Sequence, residues 1–152
     1  MFSKFSTALL ASALVFGVSA AQAGECPMDK RGVDVTKMVN FGPKDVTDKV
    51  LATIDVAKEQ GIPDRQFRLR RLEIQPGGIV PWHSHADRPA LIYIVEGEVK
   101  EYSSDCAVPI VHKAGEVSAE TREVAHWWKN EGTKTVVLIS ADLLKDKMDK
   151  AM

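Results

Sequence analysis

The chain has 152 residues, 45% of them hydrophobic, and its 20 lysines and arginines nearly balance its 21 aspartates and glutamates, for a net charge of −1. This length and composition fit one compact domain with an ample core and leave no room for a second. The balanced charge, with no long basic run, argues against proteins that bind nucleic acid or an anionic membrane surface.

The first 23 residues have the composition of an export signal. Lys4 supplies a weakly positive start, residues 8–18 form an apolar run, and the sequence Ala-Gln-Ala at 21–23 has the small-x-small pattern of a signal-peptidase site. The apolar run is short for a transmembrane helix, and no second apolar stretch follows it. We therefore expect cleavage after Ala23, no membrane attachment afterwards, and a location in the bacterial periplasm or outside the cell.

The mature chain is expected to begin with an extended arm over residues 24–44, which contains several glycines and prolines and shows little periodicity. Residues 46–60 are ambiguous, since their alternating apolar residues suit a strand while their composition also permits a helix. The frequent β-branched residues favour the strand. A turn at 61–64 leads to a strand over 67–75, which ends at the Pro-Gly-Gly sequence of 76–78.

The rest of the chain has the pattern of short strands separated by turns that contain glycine. These strands are predicted over 90–95, 99–102, 109–112, 126–129 and 134–143. Short strands at regular spacing favour an all-β domain over 45–144, either an antiparallel barrel or a sandwich. The charged residues 145–152 are predicted to form a tail, either a frayed helix or disordered.

Export changes how the two cysteines are interpreted. In an oxidising compartment Cys26 and Cys106 are the only pair, and they are expected to form a disulfide that ties the arm to the barrel. Such a bridge would close a loop of about eighty residues and contribute a few kcal/mol at most. Two buried free thiols are an alternative. A thiolate metal ligand is disfavoured, because neither cysteine lies in the segments that carry the histidines.

Three of the four histidines lie where they can converge on one metal ion. His83 and His85 are two residues apart, so in a strand both imidazoles point to the same face. His126 follows about forty residues later, and neutral imidazole is the commonest protein ligand for divalent transition metals. The pair alone is also compatible with a solvated sheet face, so the residues around it decide the interpretation.

The residues that frame these histidines resemble the two consensus motifs of the cupin family. Gly77 stands six residues before His83, and Gly115 stands eleven before His126. The spacing agrees in both halves with Gly-x5-His-x-His-x3,4-Glu-x6-Gly and Gly-x5-Pro-x-Gly-x2-His-x3-Asn, and further matches are Gly97 and Asn130. The resemblance implies a double-stranded β-helix, the jelly-roll barrel of the cupins, with three histidines inside and the site at its mouth.

Two departures from the motifs affect the expected site. The acidic ligand of the first motif would fall at Pro89 or Ala90, and neither has a ligating side chain. In the second motif Thr121 and Glu123 replace the proline and the second glycine. The resemblance therefore implies a metal site of three histidines that lacks the family's glutamate.

Three neutral imidazoles leave a divalent ion with its full charge and with open coordination positions, which is an activating site and not a closed structural one. Asp87 and Glu120 lie near the ligands in sequence and are the candidates for an additional ligand or an acid–base group. Iron, zinc and nickel suit three histidines, while manganese would want more oxygen ligands. The sequence thus predicts a divalent transition metal, Fe, Zn, Ni or Mn.

Aromatic residues near the ligands are candidates for the walls of a substrate pocket, with ordinary core packing as the alternative. They are Trp82, Tyr93, Trp127 and Trp128. Because neighbours in a strand face opposite ways, only one of the last two can face the pocket, and Trp128 is the residue assigned to it.

Two further polar residues need an interpretation. Arg88 is a candidate to bind a substrate carboxylate, and a surface salt bridge is the simpler alternative. His112 falls outside both motifs and is predicted to be a surface or loop histidine.

Three classes of function fit these features. The leading one is a metal-dependent cupin enzyme, an oxygenase on a small organic substrate, since an open histidine site can bind substrate and dioxygen side by side. The main alternative is a non-catalytic periplasmic protein whose pocket holds a small ligand or a metal. A structural protein with a relic site is disfavoured, because it would have no reason to retain the three histidines together. The expected partner is a small molecule, and a homodimer is compatible with each class.

Overall fold

The computed structural model describes residues 24–32, 42–122 and 124–145. Within them the chain forms a 3-10 turn (Met28–Lys30), one short helix and eight strands. In chain order these are β1 (Lys44–Asp55), α1 (Val56–Gln60), β2 (Arg65–Ser84), β3 (Ala90–Glu96), β4 (Glu98–Ser103), β5 (Ile110–Lys113), β6 (Val117–Glu120), β7 (Ala125–Lys129) and β8 (Val136–Lys145). No helix in these ranges is long and apolar enough to cross a membrane. The predicted leader and the tail beyond Lys145 lie outside the described residues.

The strands form one curved, antiparallel sheet. Their order is β5-β4-β7-β2-β8-β3-β6, and β1 pairs along β2. Strand β2 has 20 residues. Its first part lies between β1 and β8, and its last part pairs with β7. The sheet thereby closes almost completely into a barrel, which confirms the predicted all-β fold.

Alternating residues of several strands, β3 and β4 among them, fill the interior of the barrel. In β3, Ile92 and Ile94 are buried, whereas Leu91 and Tyr93 point outward and are exposed, as the two-residue period of a strand requires. Each large aliphatic side chain that leaves water contributes about 1.5–3 kcal/mol to stability. The central cluster consists of Leu72, Ile74, Val80, Ala90, Ile92, Ile94, Val99, Trp128, Val136 and Leu138.

The ambiguous segment 46–60 contains both structures. Strand β1 ends at Asp55, whose Oδ1 accepts a hydrogen bond from the backbone N–H of Lys58 at 3.1 Å and so caps α1. Gly61 ends the helix in the left-handed conformation, with a φ of 69°. The predicted strand is confirmed as far as Asp55. The five-residue helix after it was missed, because no break in composition marks its start.

The predicted disulfide is present. Cys26 and Cys106 are bonded, with Cα atoms 5.7 Å apart across a separation of 80 residues. The two cysteines pack with Ile110, and Arg31 forms a bridge pair with Cys106. The start of the arm is therefore fastened to the barrel. A disulfide of this kind indicates an oxidising compartment.

Motif residues that are not candidate ligands shape the backbone near the site. Gly77 has a φ of 76°, in the left-handed region that favours glycine. Asn130 is fully buried, and its Nδ2 donates to the carbonyl oxygens of Ile74 and Lys134, each at 2.8 Å. Its Oδ1 accepts from the backbone N–H of Gly132 at 2.9 Å. Asn130 therefore ties the turn that follows β7 to strand β2. Strands β2 and β7 contain His83 and His126, two of the candidate ligands.

Candidate metal centre

Three histidines come together inside the barrel. His83 lies in β2, His85 directly follows that strand, and His126 lies in β7 as the register partner of His83. Nε2 of His126 is 3.1 Å from Nε2 of His85 and 3.2 Å from Nε2 of His83. The structure thus brings together the three residues predicted as metal ligands.

The outer hydrogen bonds of the three rings determine which nitrogen faces the centre. Nδ1 of His83 and Nδ1 of His85 each donate to a backbone carbonyl oxygen at 2.8 Å. Nδ1 of His126 donates to the carboxylate of Glu101 at 2.7 Å. Because carbonyl and carboxylate oxygens only accept, each ring carries its hydrogen on Nδ1 and presents the lone pair of Nε2 to the centre.

The spacing of the three Nε2 atoms suits a metal ion. With metal–nitrogen bonds of about 2.1 Å, two ligand nitrogens stand about 3.0 Å apart at right angles and about 3.4 Å apart in a tetrahedron. The observed separations of 3.1 and 3.2 Å fall between these values. When His126 is neutral, the lone pairs directed at one another at this distance repel, and either a proton on Nε2 of His126 or a metal ion between the rings removes the repulsion. The donor set therefore fits a divalent transition metal.

Two of the three ligands are neutral over the whole physiological pH range. Burial lowers the pKa of His83 to about 2 and that of His85 to about 4, and the neighbouring His126 adds to both shifts. Burial acts in the same direction on His126. There the hydrogen bond to Glu101 and the nearby carboxylates outweigh burial, so the pKa of His126 lies above its usual value. His126 is thus the ligand at which protons compete with a metal.

This asymmetry predicts an unusual pH dependence of metal binding. Below the pKa of His126 and above about pH 5, a metal displaces one proton, so its affinity should fall about tenfold for each unit decrease in pH. Three unperturbed histidines would release up to three protons and give a much steeper fall. Calorimetric titration of the metal-free protein with Zn(II), in buffers of different ionisation enthalpy, counts the protons. Release of close to three at pH 5 would contradict this assignment.

Glu101 joins His126 to the fourth histidine. Its Oε1 accepts from Nδ1 of His126 and its Oε2 accepts from Nε2 of His112, both at 2.7 Å. Burial opposes the charge on Glu101, but these two hydrogen bonds outweigh it and lower the pKa of the carboxyl to about 2. A carboxylate in this position orients the ring of His126 and keeps its Nε2 free for a metal.

The prediction that His112 is a surface or loop histidine was wrong. Its side chain is fully buried in β5 and stacks on Trp128, with ring centroids 4.9 Å apart and an interplanar angle of 3°. Strand β5 pairs with β4, so His112 reaches Glu101 on the neighbouring strand. Through Glu101, His112 therefore belongs to the hydrogen-bond network behind the three clustered histidines.

Of the two acids predicted as an additional ligand or acid–base group, only Glu120 belongs to a cluster of possible ligand atoms among the described residues. Oε2 of Glu120 is 3.3 Å from Nδ1 of His126, which places it behind that ring, away from Nε2. Glu101, Glu120 and His126 form a second group whose ligand atoms lie within 4.8 Å of one another. Asp87 belongs to neither of the groups found among the described residues, and its side chain is exposed.

A narrow cavity inside the barrel adjoins the histidines. About 20 Å³ of it is open to the centre of a water molecule, which is room for roughly one or two waters or a ligand of a few atoms. Its wall combines apolar side chains with two arginines. The lining residues are Arg70, Leu72, Val80, His83, His85, Arg88, Ile92, Trp128, Leu138 and Ser140.

The structure places only part of the predicted pocket at this cavity. Arg88 and Trp128 line it. Trp82 is half-buried and does not belong to the lining, and Tyr93 points outward with 45% of its surface exposed. Trp127 is buried, and it is not among the lining residues either. Arg88 is only 2% exposed, so it does not form the surface salt bridge considered as the alternative.

The arginines of the cavity belong to a buried ionic cluster around Asp142. The carboxylate of Asp142 is 2.9 Å from the guanidinium of Arg68, 2.9 Å from that of Arg70 and 3.9 Å from that of Arg88. Arg70 also pairs with Asp48. Three guanidinium groups and two carboxylates thus meet in this cluster, and two of the guanidinium groups, those of Arg70 and Arg88, also line the cavity.

Sequence reasoning missed Glu101, Arg70 and Asp142. Each occupies an inward position of its strand, in step with buried neighbours two residues away. In β4, for example, Val99, Glu101 and Ser103 are all buried. The alternation of the strand was the available signal, and the general preference of charged side chains for solvent concealed it.

Comparison with known sequences agrees with the motifs. The model of the Cupin domain family matches residues 70–142. Nectarin-1 of Nicotiana plumbaginifolia is 30% identical over 126 residues, which are 81% of this chain and 51% of that protein. Germin-like protein subfamily 2 member 2 of Arabidopsis thaliana is 30% identical over 90 residues, 57% of this chain and 41% of that protein. The chain therefore spans about half or less of the length of these relatives.

Solved structures share the architecture. The fold is similar to a predicted oxalate decarboxylase from Thermotoga maritima, with a TM-score of 0.53 and 20% identity over 65% of this chain and 80% of that one. It is also similar to a protein with a double-stranded beta-helix domain from Klebsiella pneumoniae, with a TM-score of 0.54 and 15% identity over 74% of this chain and 85% of that one. At these identities the likeness concerns the fold alone. Since the family match, both motifs and the antiparallel barrel agree, the chain belongs to the cupin superfamily.

Proposed function

We propose that the protein is an exported enzyme that holds a divalent transition metal through His83, His85 and His126 and acts as an oxygenase on a small carboxylate. The observation that carries the proposal is the convergence of three histidine Nε2 atoms beside a cavity that two arginines line. When bound, the metal would supply a Lewis acid with open positions for an oxygen donor and, if it is redox-active, for dioxygen.

The arginines support the choice of a carboxylate. Guanidinium groups bind carboxylates through charge-assisted, often bidentate hydrogen bonds. Nε of Arg70 has no hydrogen-bond partner among the described residues, and Arg70 and Arg88 both line the cavity. The positive charge of Arg88 is a minor contribution to the lowered pKa of His83 and of His85, whose rings line the same cavity. An anion next to the histidines would therefore lie close to two guanidinium groups.

The shape of the cavity limits the size of the substrate. Trp128 closes one side, and aliphatic side chains from β2, β3 and β8 close the others. The cavity leaves space for a few atoms only, so an aromatic substrate does not fit without movement of the barrel. A carboxylic acid of two to three carbons is the class we propose, on the order of the space that one or two waters fill.

We propose that the protein is exported and acts outside the cytoplasm. The leader pattern and the disulfide both fit an oxidising compartment outside the cytoplasm. We propose cleavage after Ala23 and residence of the mature chain in the periplasm. Mass spectrometry of the mature protein should then give the mass of a chain that begins at Gly24. No thiol should react with an alkylating reagent before the protein is reduced.

One observation favours the alternative, a non-catalytic periplasmic protein that binds the same ligand. The carboxylates near the cavity are engaged: Asp142 pairs with arginines and Glu101 bonds two histidines. Among the described residues that line the cavity, no acidic side chain stands ready as a general base. Binding of a carboxylate without turnover would support this alternative.

Titration with small carboxylates tests the proposal. We expect protein loaded with Mn(II) or Fe(II) to bind oxalate or malonate, and Arg88→Gln to weaken binding by about tenfold or more, since it removes a charge-assisted hydrogen bond. Arg71→Gln is the matched control, because Arg71 follows Arg70 in β2 but is 39% exposed and pairs with Glu73. An oxygen electrode then separates turnover from binding. Equal affinity of Arg88→Gln and the unchanged protein would overturn the assignment.

A further inference from the structure

A buried nitrogen behind the metal centre needs a donor. Nε2 of His112 donates to Glu101, which leaves Nδ1 of this ring with a lone pair. The side chain is fully buried, and within the part of the chain that the structure describes this nitrogen makes no hydrogen bond. Buried acceptors without a donor are costly and rare, so a donor is expected to reach it.

Gly24 lies directly against this nitrogen. A Cβ atom added at Gly24 would lie 2.3 Å from Nδ1 and 2.7 Å from Cε1 of His112, and 2.9 Å from the carbonyl oxygen of Val111. For a carbon atom this position is a steric clash. A nitrogen that carries hydrogens and lies slightly farther from the ring could donate to two acceptors there, Nδ1 of His112 and the carbonyl oxygen of Val111.

An N-terminal nitrogen can occupy this position. If the chain starts at Gly24, its nitrogen turns freely about the Cα–C bond, and a rotation of about 120° brings it to where the Cβ would be. A shift of about 0.5 Å then gives the distance of a normal hydrogen bond to His112. In an uncleaved chain, the same rotation would have to carry the preceding residues with it.

We propose that cleavage after Ala23 creates the missing donor, so that the α-ammonium group of Gly24 binds Nδ1 of His112 and the carbonyl oxygen of Val111. His112 in turn bonds Glu101, and Glu101 bonds the ligand His126. Removal of the leader thereby completes a chain of hydrogen bonds from the new N-terminus to the metal centre. The inference rests on the export and the metal binding proposed above.

The surroundings of Gly24 suit a positive charge. A cavity of about 340 Å³ adjoins it, and four acidic side chains line that cavity against one arginine. They are Glu25, Glu101, Asp105, Glu120 and Arg31. The disulfide of Cys26, two residues further on, holds the N-terminus at this place. The α-ammonium is thus both attracted and tethered.

Three forms of the mature protein test the inference: a chain that starts at Gly24, a chain that retains Ala23, and the first chain acetylated at its α-amino group. In the metal-free protein, we expect the 15N resonance of His112 Nδ1 to show a hydrogen bond only in the first. The unfolding midpoint should be higher in that form by roughly 5 °C. The affinity for Zn(II) should be roughly threefold to tenfold higher.

His112→Phe provides the control, because phenylalanine keeps a ring against Trp128 but has no Nδ1. In this background, retention of Ala23 should leave the unfolding midpoint unchanged. The Nδ1 resonance and the unfolding midpoint are measured in the metal-free protein. They therefore test the hydrogen bond of the N-terminus even if the protein proves to bind no metal. Equal Nδ1 resonances and equal midpoints for the chains that start at Gly24 and Ala23 would overturn it.

Discussion

Replacing Glu101 with glutamine is expected to lower the affinity for a divalent metal by about 10- to 100-fold. The carboxylate accepts hydrogen bonds from both His126 and His112, whereas an amide offers one acceptor and one donor group. One histidine must then move its hydrogen to its other ring nitrogen. If His126 does so, the hydrogen lies on the Nε2 that should bind the metal. Calorimetric titration of the metal-free variant with Zn(II) measures the effect.

Glu98→Gln is the matched control for Glu101→Gln. Glu98 lies in the same strand, and its side chain is 54% exposed, so its replacement should change neither metal affinity nor stability. Glu101→Gln should also lower the free energy of unfolding, by on the order of 2 kcal/mol, because a buried charge-assisted hydrogen bond is lost. Titration well below both unfolding midpoints keeps the two effects apart. A Glu101→Gln variant that binds Zn(II) as tightly as Glu98→Gln would contradict the role of Glu101.

The sequence was sufficient to predict that the three histidines come together, because the strand period and the resemblance to the cupin motifs both place them. His83 and His85 share a strand face through the two-residue period. His126 was placed by its spacing from Gly115 and Asn130, and the structure gives both of these residues local roles in turns. Spacing between residues close in sequence can be recognised without knowing how the distant strands pair.

The residues behind the ligands could not be predicted in the same way. His112 is drawn into the interior by Glu101 on the neighbouring strand, and the pairing of β4 with β5 is a long-range property. Asp142 is buried because Arg68 and Arg70, more than seventy residues earlier, surround it. In each case a charge is tolerated inside the barrel only because its partner arrives from a distant part of the chain.

Short elements were the other source of error. Strand β6 has four residues, of which only Glu120 is buried, so its hydrophobic pattern is too weak to be recognised. Its partner β3 nevertheless aligns Ala90 with Glu120 and so places Glu120 behind His126. Glu120 therefore lies near the site, as expected, but its carboxylate approaches Nδ1 of His126 and not the Nε2 that faces the other histidines.

Replacing any one of His83, His85 and His126 with alanine is expected to lower metal affinity by at least about a hundredfold, since each supplies one of the three protein bonds. Asp87→Ala is the matched control, because Asp87 lies close to His85 in sequence but is exposed and outside both ligand groups. Metal content of untagged protein and titration with Zn(II) measure the change. His112→Ala is not a neutral control, since it removes a partner of Glu101.

The most direct test of the metal centre is the position of a metal in crystals of the mature protein loaded with Zn(II) or Mn(II). Anomalous diffraction should show one strong peak about 2.1 Å from the Nε2 atoms of His83, His85 and His126. The second group of ligand atoms, Glu101 and Glu120 with Nδ1 of His126, offers the competing position. A peak there and none at the three Nε2 atoms, or no bound metal at all, would contradict the account.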